Sequence, residues 1–465
     1  MWPTPSSSAA FAARRQAFAR RLVTPAALGS GLRRVRNFEA NPYPFRADSH
    51  FLYFIGLHLE AAVLYFAEGE ATLYIDPPDP SERLWHGPEP TLAELEERLG
   101  LPVRPLDDFS PAEETAAIAS PDSDSALWLE DLLGRTLELD PELLAVPSHQ
   151  LEVEEHADEL LARALVQQRL RQDEAAIAQM RQAAVVSIAA HRAGARSVKG
   201  APRATWVKAS IEAVFTQHCM VPAYGSIVTP SGNILHARTS DEQLAPNDWL
   251  LVDAGAETPE GWASDITRTW PVSGRFEGLA ADVYRAVLNA QQAAIAACKP
   301  GTRFLDVHRI AMRRVVSDLV ELGVLRGNVD SLFERGVGSA LFPHGLGHLL
   351  GLDVHDMEDL GDRAGYPEGR VRGEAGSERL LRFDRVLEPG MVVTIEPGVY
   401  NILPLMDEGP HKAALTEALV DPNAFAAFTG IRIEDDVLIT EDAPEVLTAA
   451  LPSEPAAVAA LINGN

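Results

Sequence analysis

The chain has 465 residues, 46% apolar and 23% charged, with a formal net charge of -27, a globular composition large enough for two cores. A chain this acidic repels phosphate-rich partners, which argues against nucleic acid and anionic membrane surfaces. Two cysteines, Cys219 and Cys298, exclude a disulfide framework, and no apolar run approaches the roughly 20 residues that span a bilayer, so a cytoplasmic setting is expected.

The first 38 residues hold seven Arg and no acidic residue. That pattern suits an organelle transit peptide, but Phe11 to Leu22 also reads as an ordinary amphipathic first helix, the preferred reading. Short apolar runs then alternate with turn signals up to about residue 150: Phe51 to Gly56, Ala61 to Phe66, and Ala71 to Ile75 closed by Asp-Pro-Pro-Asp-Pro. They predict strands mixed with helices such as Thr91 to Leu99, an α/β layer domain. Leu151 to Ala195 is rich in Ala, Leu, Gln and Arg with few breakers. Within it Ile177, Met180, Ala184 and Ile188 make a helical stripe expected to be core. This stretch leads into a second domain, and the expected division is 1–165 and 166–450. Helices are expected at about Trp206 to His218, Leu279 to Cys298 and Phe304 to Leu322, and Gly336 to Thr440 reads as strand-rich. Asp362 to Arg379 and Asn401 to Ala424 read as loops, the first over the site. No internal repeat is evident.

The chemistry lies in the second half. Trp249-Leu-Leu-Val-Asp253-Ala-Gly-Ala-Glu257 reads as a buried strand ending on a carboxylate, and Gly261-Trp-Ala-Ser-Asp265-Ile-Thr-Arg-Thr-Trp270 as its hairpin partner, with turn residues Thr258-Pro-Glu-Gly261 between them. Two aspartates brought side by side cannot both ionise cheaply, so one is protonated or cations lie between them. Alone, the pair leaves open the plainer reading of two unrelated edge-strand aspartates. Pro343-His344-Gly-Leu-Gly-His348-Leu-Leu-Gly-Leu-Asp-Val-His355 adds three histidines, with glycines that permit close backbone approach. Thr394-Ile-Glu396-Pro-Gly and Arg432-Ile-Glu434-Asp-Asp each set a Glu in a run otherwise fit for a buried strand. Four carboxylates and one imidazole are too many for one ion and imply a two-metal site. Hard oxygen ligands favour Mn²⁺, with Co²⁺ or Zn²⁺ as substitutes.

In that order, Asp-Ala-Gly, Ser-Asp-Ile-Thr-Arg-Thr, His-Gly-Leu-Gly-His, Thr-Ile-Glu-Pro-Gly and Arg-Ile-Glu-Asp-Asp resemble the pita-bread metallopeptidases, within them the Xaa-Pro-cleaving branch of aminopeptidase P and prolidase. Asn41-Pro-Tyr-Pro-Phe-Arg46-Ala-Asp-Ser-His-Phe-Leu-Tyr-Phe-Ile-Gly56 resembles the amino-terminal domain of that branch. The fold implied is a mixed α/β domain followed by a pita-bread (creatinase/aminopeptidase-like) catalytic domain. The resemblance implies that Asp253 binds one metal, His348 and Glu396 the other, and that Asp265 and Glu434 bridge both. It makes Glu396 the proton shuttle, gives His236, His344 and His355 contacts to the substrate, with His355 also donating to the oxyanion, and has Arg432 orient the site. Substrates would be proline-containing di- or oligopeptides, and the assembly a homodimer or homotetramer.

Two departures from the family pattern stand out. Asp253 and Asp265 are twelve residues apart, one more than expected, which a longer turn absorbs. A long segment between His355 and Glu396 carries Arg382, whose counterpart in prolidases pairs with the free carboxylate of a dipeptide; a surface arginine is the plain alternative. On Arg382 the dipeptidase reading is preferred; the Tyr-Pro-Phe-Arg46 run favours the alternative, an aminopeptidase on longer peptides. A metal-free binding module on the same fold is the reading from another class, and the complete ligand set argues against it.

Overall fold

A computed structural model describes residues 4–139, 156–238, 240–373, 376–402, 404–405 and 411–464. The beginning of the expected helical stretch, 151–155, and parts of both expected loops lie outside these residues. Among the described residues no helix is long and apolar enough to cross a membrane.

The first helix, Ser8–Ala19, is capped by the Ser7 hydroxyl and buries Phe11 and Phe18. Its arginines are buried too. Arg14 donates to Asp173 at 2.6 Å and to the Tyr53 carbonyl, and Arg15 to the carbonyls of Phe54 and Leu99. The five-stranded sheet behind it consists of β1 (Ala26–Gly29), β2 (Val63–Ala67), β3 (Glu70–Tyr74), β4 (Val103–Arg104) and β5 (Ala116–Ile118), in the order β4-β3-β2-β1-β5. Phe51 to Gly56, expected as a strand, lies in the helix Ser49–Ile55. Asp48 accepts from the first backbone N–H groups and Gly56 ends the helix at φ 68°. Those end signals outweigh the β preference of an aromatic run. The helix expected at Thr91 to Leu99 is present as Leu92–Leu99, and Thr91 caps it through a reciprocal bond with Glu94.

The expected long helix is two, Ala157–Arg169 and Glu174–Ser197. The break falls where the Asp173 carboxylate caps the second helix at Ala176 and the Gln172 N–H turns to the Gly390 carbonyl. Met180, Ala184 and Ile188 are buried and Ile177 half-buried, so the stripe is core. Glu174–Ser197 pairs with Ala204–Gln217, and Gly278–Ala297 with Phe304–Glu321. Each pair precedes a set of mostly antiparallel strands, a repeated plan with no trace in the sequence. The first set is β6 (Val221–Pro222), β7 (Ile227–Thr229), β8 (Trp249–Asp253), β9 (Ala256–Glu257) and β10 (Thr267–Pro271); the second is β11 (Val392–Ile395), β12 (Gly398–Tyr400), β13 (Gly430–Arg432), β14 (Asp435–Leu438) and β15 (Glu445–Val446). The sheets run β10-β8-β7, β11-β14-β15, β12-β13 and β6-β9. Between residues 336 and 391 the expected strands are replaced by short helical turns, and Asn401 to Ala424 contains the helices Lys412–Ala418 and Pro422–Ala426.

One apolar cluster joins the two parts of the chain, with Phe51, Phe54 and Phe66 in the same core as Trp262, Leu346 and Leu350. Polar bonds cross beside it: Arg46 to Glu257 at 2.9 Å and to the Leu352 carbonyl at 2.7 Å, His50 to Asp359 at 2.9 Å, and Arg169 to Asp356 at 2.7 Å.

Candidate metal centre and active site

Strand ends deliver the ligand candidates to one place. Asp253 closes β8 and pairs in register with Thr267 of β10. Asp265 returns beside it because Gly255 lets the two arms touch; a Cβ there would overlap the Ser264 carbonyl. Glu396 follows β11 and Glu434 lies between β13 and β14. His348 arrives on a segment laid along β11, with Thr394 N–H donating to the His348 carbonyl and Glu396 N–H to the Leu346 carbonyl. Gly347 permits this, since a Cβ would overlap the Thr394 carbonyl.

Asp253, Asp265, His348, Glu396, Glu434, Arg432, His344, His355, His236 and Arg382 all line one cavity of about 1250 Å³. Ligand atoms of Asp265, His348 and Glu434 lie within 4.8 Å of one another. His348 Nε2 is 3.6 Å from both Asp265 Oδ2 and Glu396 Oε1. Its Nδ1 donates to the Leu349 carbonyl at 3.0 Å, so in the neutral ring Nε2 carries a lone pair toward the carboxylates. Burial and then the neighbouring His355 push His348 well below its ordinary pKa, which keeps that lone pair unprotonated. A bare lone pair facing carboxylate oxygens is what a metal ligand set requires.

The charges agree with this. Asp265 and Glu434 are raised well above the usual carboxylate range, first by burial and then by neighbouring carboxylates, Asp253 for the first and Asp265 for the second. Glu396 is raised to about 8 by burial, against the pull of Arg432. Carboxylates raised in this way favour protons, or cations that would take the protons' place. The residues present therefore fit a metal centre.

Arg432 donates to Asp253 at 2.6 Å, to the Tyr400 hydroxyl at 3.2 Å and to Thr267 Oγ1 at 3.2 Å. His344 gives its Nδ1 proton to the Gly345 carbonyl at 2.7 Å and accepts from Tyr400 at 2.8 Å. Burial, then Arg432, lowers its pKa to about 3, so the ring is neutral. His355 Nδ1 lies 3.1 Å from Glu358, and its ring centre 4.1 Å from that of His348. His236 is on an exposed segment at the cavity rim. Arg382 makes an ion pair with Glu358 at 2.5 Å. Burial raises the Glu358 carboxyl, but the His355 hydrogen bond and the charges of His355 and Arg382 outweigh it and hold the group down to about 2. From the expected loop over the site, Asp362, Arg372 and Arg379 line the cavity.

Three contributors escaped the sequence reading. The Tyr224 hydroxyl lies 2.5 Å from a carboxylate oxygen of both Asp253 and Asp265 and bridges the pair. Tyr400 holds His344 and Arg432 together, and Thr267 donates to Glu434 at 2.7 Å. Thr267 sits inside the Ser-Asp-Ile-Thr-Arg-Thr motif and Tyr400 two residues past Thr-Ile-Glu-Pro-Gly, a signal that their hydroxyls had a use. Tyr224 stands in an ordinary Ala-Tyr-Gly-Ser turn, and only the fold brings it to the aspartates.

Residues 178–441 match metallopeptidase family M24, and residues 11–121 match the aminopeptidase P N-terminal domain. The chain is similar to the Xaa-Pro aminopeptidase of Haemophilus influenzae, 30% identical over 456 residues that cover 94% of this chain and 92% of the relative. It is also similar to the Xaa-Pro dipeptidase of Homo sapiens, 36% identical over 278 residues covering 57% and 54%. The solved structure of aminopeptidase PepP from Pseudomonas aeruginosa superposes with a TM-score of 0.79 at 28% identity, over 99% of each chain. With its ligand candidates gathered in one cavity and this likeness running from end to end, the chain belongs to metallopeptidase family M24, as an enzyme with an aminopeptidase P N-terminal domain and a pita-bread catalytic domain.

Proposed function

We propose that the chain is a Xaa-Pro aminopeptidase, which removes the first residue from peptides that carry proline second. One observation carries the choice over a dipeptidase: likeness to the Haemophilus influenzae Xaa-Pro aminopeptidase spans 456 residues, whereas likeness to the human Xaa-Pro dipeptidase spans 278. This reverses the preference drawn from Arg382, whose guanidinium pairs with Glu358. Arg382 still faces the cavity, and that keeps the dipeptidase as the second reading.

Asp253, Asp265, His348, Glu396 and Glu434 would hold two divalent ions, Mn²⁺ by the hardness of the oxygen donors. Four carboxylates less the contacting Arg432 leave three negative charges, more than one divalent ion neutralises. Bound there, the ions would acidify water and polarise the scissile carbonyl. Glu396, mostly buried but lining the cavity, would move the proton to the departing proline nitrogen. His355 and His236 would donate to the substrate, and the neutral His344 would form the wall of the proline side. Arg432 fixes Asp253 and Tyr400. The division near residue 165, a homodimer or homotetramer, and a cytoplasmic setting without nucleic-acid or membrane partners complete the reading.

The test is hydrolysis of Ala-Pro against Ala-Pro-Ala by metal-stripped enzyme reloaded with Mn²⁺. Preference for the tripeptide supports the aminopeptidase. Cleavage of the dipeptide alone makes the chain a dipeptidase, and cleavage of neither returns the metal-free binding module.

A further inference from the structure

The cavity wall also contains a cation already in use. Arg382 is placed to meet a substrate: it lines the cavity, its side chain is 39% exposed, and its positive field reaches His236 and Glu396. A guanidinium so placed would attract the carboxylate of a dipeptide's proline, bidentate if its fork were free. It is not free. Nη1 of Arg382 lies 2.5 Å from Oε2 of Glu358, and the same oxygen takes Nδ1 of His355 at 3.1 Å. Oε1 of Glu358 is buried and has no hydrogen-bond partner among the described residues. Glu358 stands on a short turn, Glu358–Leu360, three residues after His355, so the backbone that places His355 also holds this carboxylate in place.

We propose that Glu358 is a specificity-determining residue: by occupying Arg382 and setting a negative charge beside it, it disfavours substrates that bring a free carboxylate there and leaves longer peptides unaffected. The inference rests on the Xaa-Pro reading above. A dipeptide must share the guanidinium with Glu358 or displace it, with one carboxylate close to another. A tripeptide has a neutral peptide bond at that point and meets neither cost. Discrimination here comes from an unfavourable contact with the wrong substrate rather than a better contact with the right one.

The experiment compares kcat/KM for Ala-Pro and Ala-Pro-Ala in the Mn²⁺-loaded full-length enzyme, its Glu358→Gln variant, and the Glu358→Gln/Arg382→Ala double variant. Glutamine keeps the shape and removes the charge. Any disturbance of His355 affects both substrates and cancels in their ratio. The expected result is a rise of about tenfold in the Ala-Pro to Ala-Pro-Ala ratio for Glu358→Gln, the scale of one hydrogen bond to a charged group, with the gain lost in the double variant. An unchanged ratio, or a gain that survives loss of Arg382, overturns the proposal while the Xaa-Pro reading stands. If the wild type cleaves neither peptide, that reading fails, and calorimetric titration of Ala-Pro and Ala-Pro-amide into wild type and Glu358→Gln still decides the matter. A carboxylate-over-amide preference that increases in the variant supports the gate, and an equal preference in both proteins rejects it.

Discussion

Two acidic clusters lie within this molecule, and they are compensated in opposite ways. At the junction of the two domains Glu257 pairs with Arg46, Asp356 with Arg169 and Asp359 with His50, while Asp353 takes Arg46 at 3.3 Å and a hydrogen bond from Ser49. Each carboxylate there has a partner supplied by the chain. In the cavity, Asp253, Asp265, Glu396 and Glu434 share, among the described residues, one guanidinium in direct contact, that of Arg432, with the hydroxyls of Tyr224, Thr267 and Thr394 and the neutral His348 ring. A buried cluster that carries its own cations is structural, whereas one that lacks them is built to receive cations from outside. Counting acidic residues does not separate the two; partners do.

The contrast can be broken most forcefully at Glu396. Glu396→Gln should leave the fold intact and lower kcat about a thousandfold, the usual scale for losing a positioned proton-transfer group. Near-normal turnover would remove Glu396 from that step. Next is the junction: Arg169→Met leaves Asp356 buried without its cation and should cost about 3 kcal/mol or more of stability, by denaturant unfolding. Because this cluster needs no metal, the loss should be the same with Mn²⁺ and with chelator, and a metal-dependent loss would mean that the clusters are coupled. For the cavity the reverse holds. Mn²⁺ at a hundredfold excess over its dissociation constant should stabilise the wild type by about 2.7 kcal/mol, and Asp265→Asn should lose most of that gain; equal stabilisation of both would place the ions elsewhere.

The smallest effect sharpens the comparison through pH. His191 and His308 are buried outside the ligand set, each with an Nδ1 that has no hydrogen-bond partner among the described residues. Burial lowers both to about 4 from 6.5. The unfolded chain therefore binds these protons first, so their contribution is complete above pH 6.5 and is lost as pH falls toward 4. Unfolding titrations should show this acid loss in chelator as well as in Mn²⁺. A slope that vanishes when metal is absent would assign it to the cavity carboxylates instead.

Much of the candidate site was legible because its ligands stand inside short, ordered motifs, and each motif folds locally: a strand end for Asp253, a strand end for Glu396, a glycine-flanked segment for His348. The helices at Trp206 to His218, Leu279 to Cys298 and Phe304 to Leu322 were legible for the same reason, their apolar spacing being set by a single face. What escaped depends on distant parts of the chain. Tyr224 reaches Asp265 across 41 residues and Glu358 reaches Arg382 across 24, and no local pattern records such pairings. Phe51 to Gly56 misled for another reason. Its aromatic composition favours a strand, while one side chain before it and one glycine at its end decide for a helix.

Phe51, Phe54 and Phe66 share their core with Trp262, Leu346 and Leu350, and this bears on how the protein can be re-engineered. Grafting the amino-terminal domain of a relative onto this catalytic half would set foreign side chains against Trp262 and Leu346, and the chimera would need its seam repacked before its activity could be interpreted. Recombination breakpoints suit surface segments of this chain far better than its domain junction.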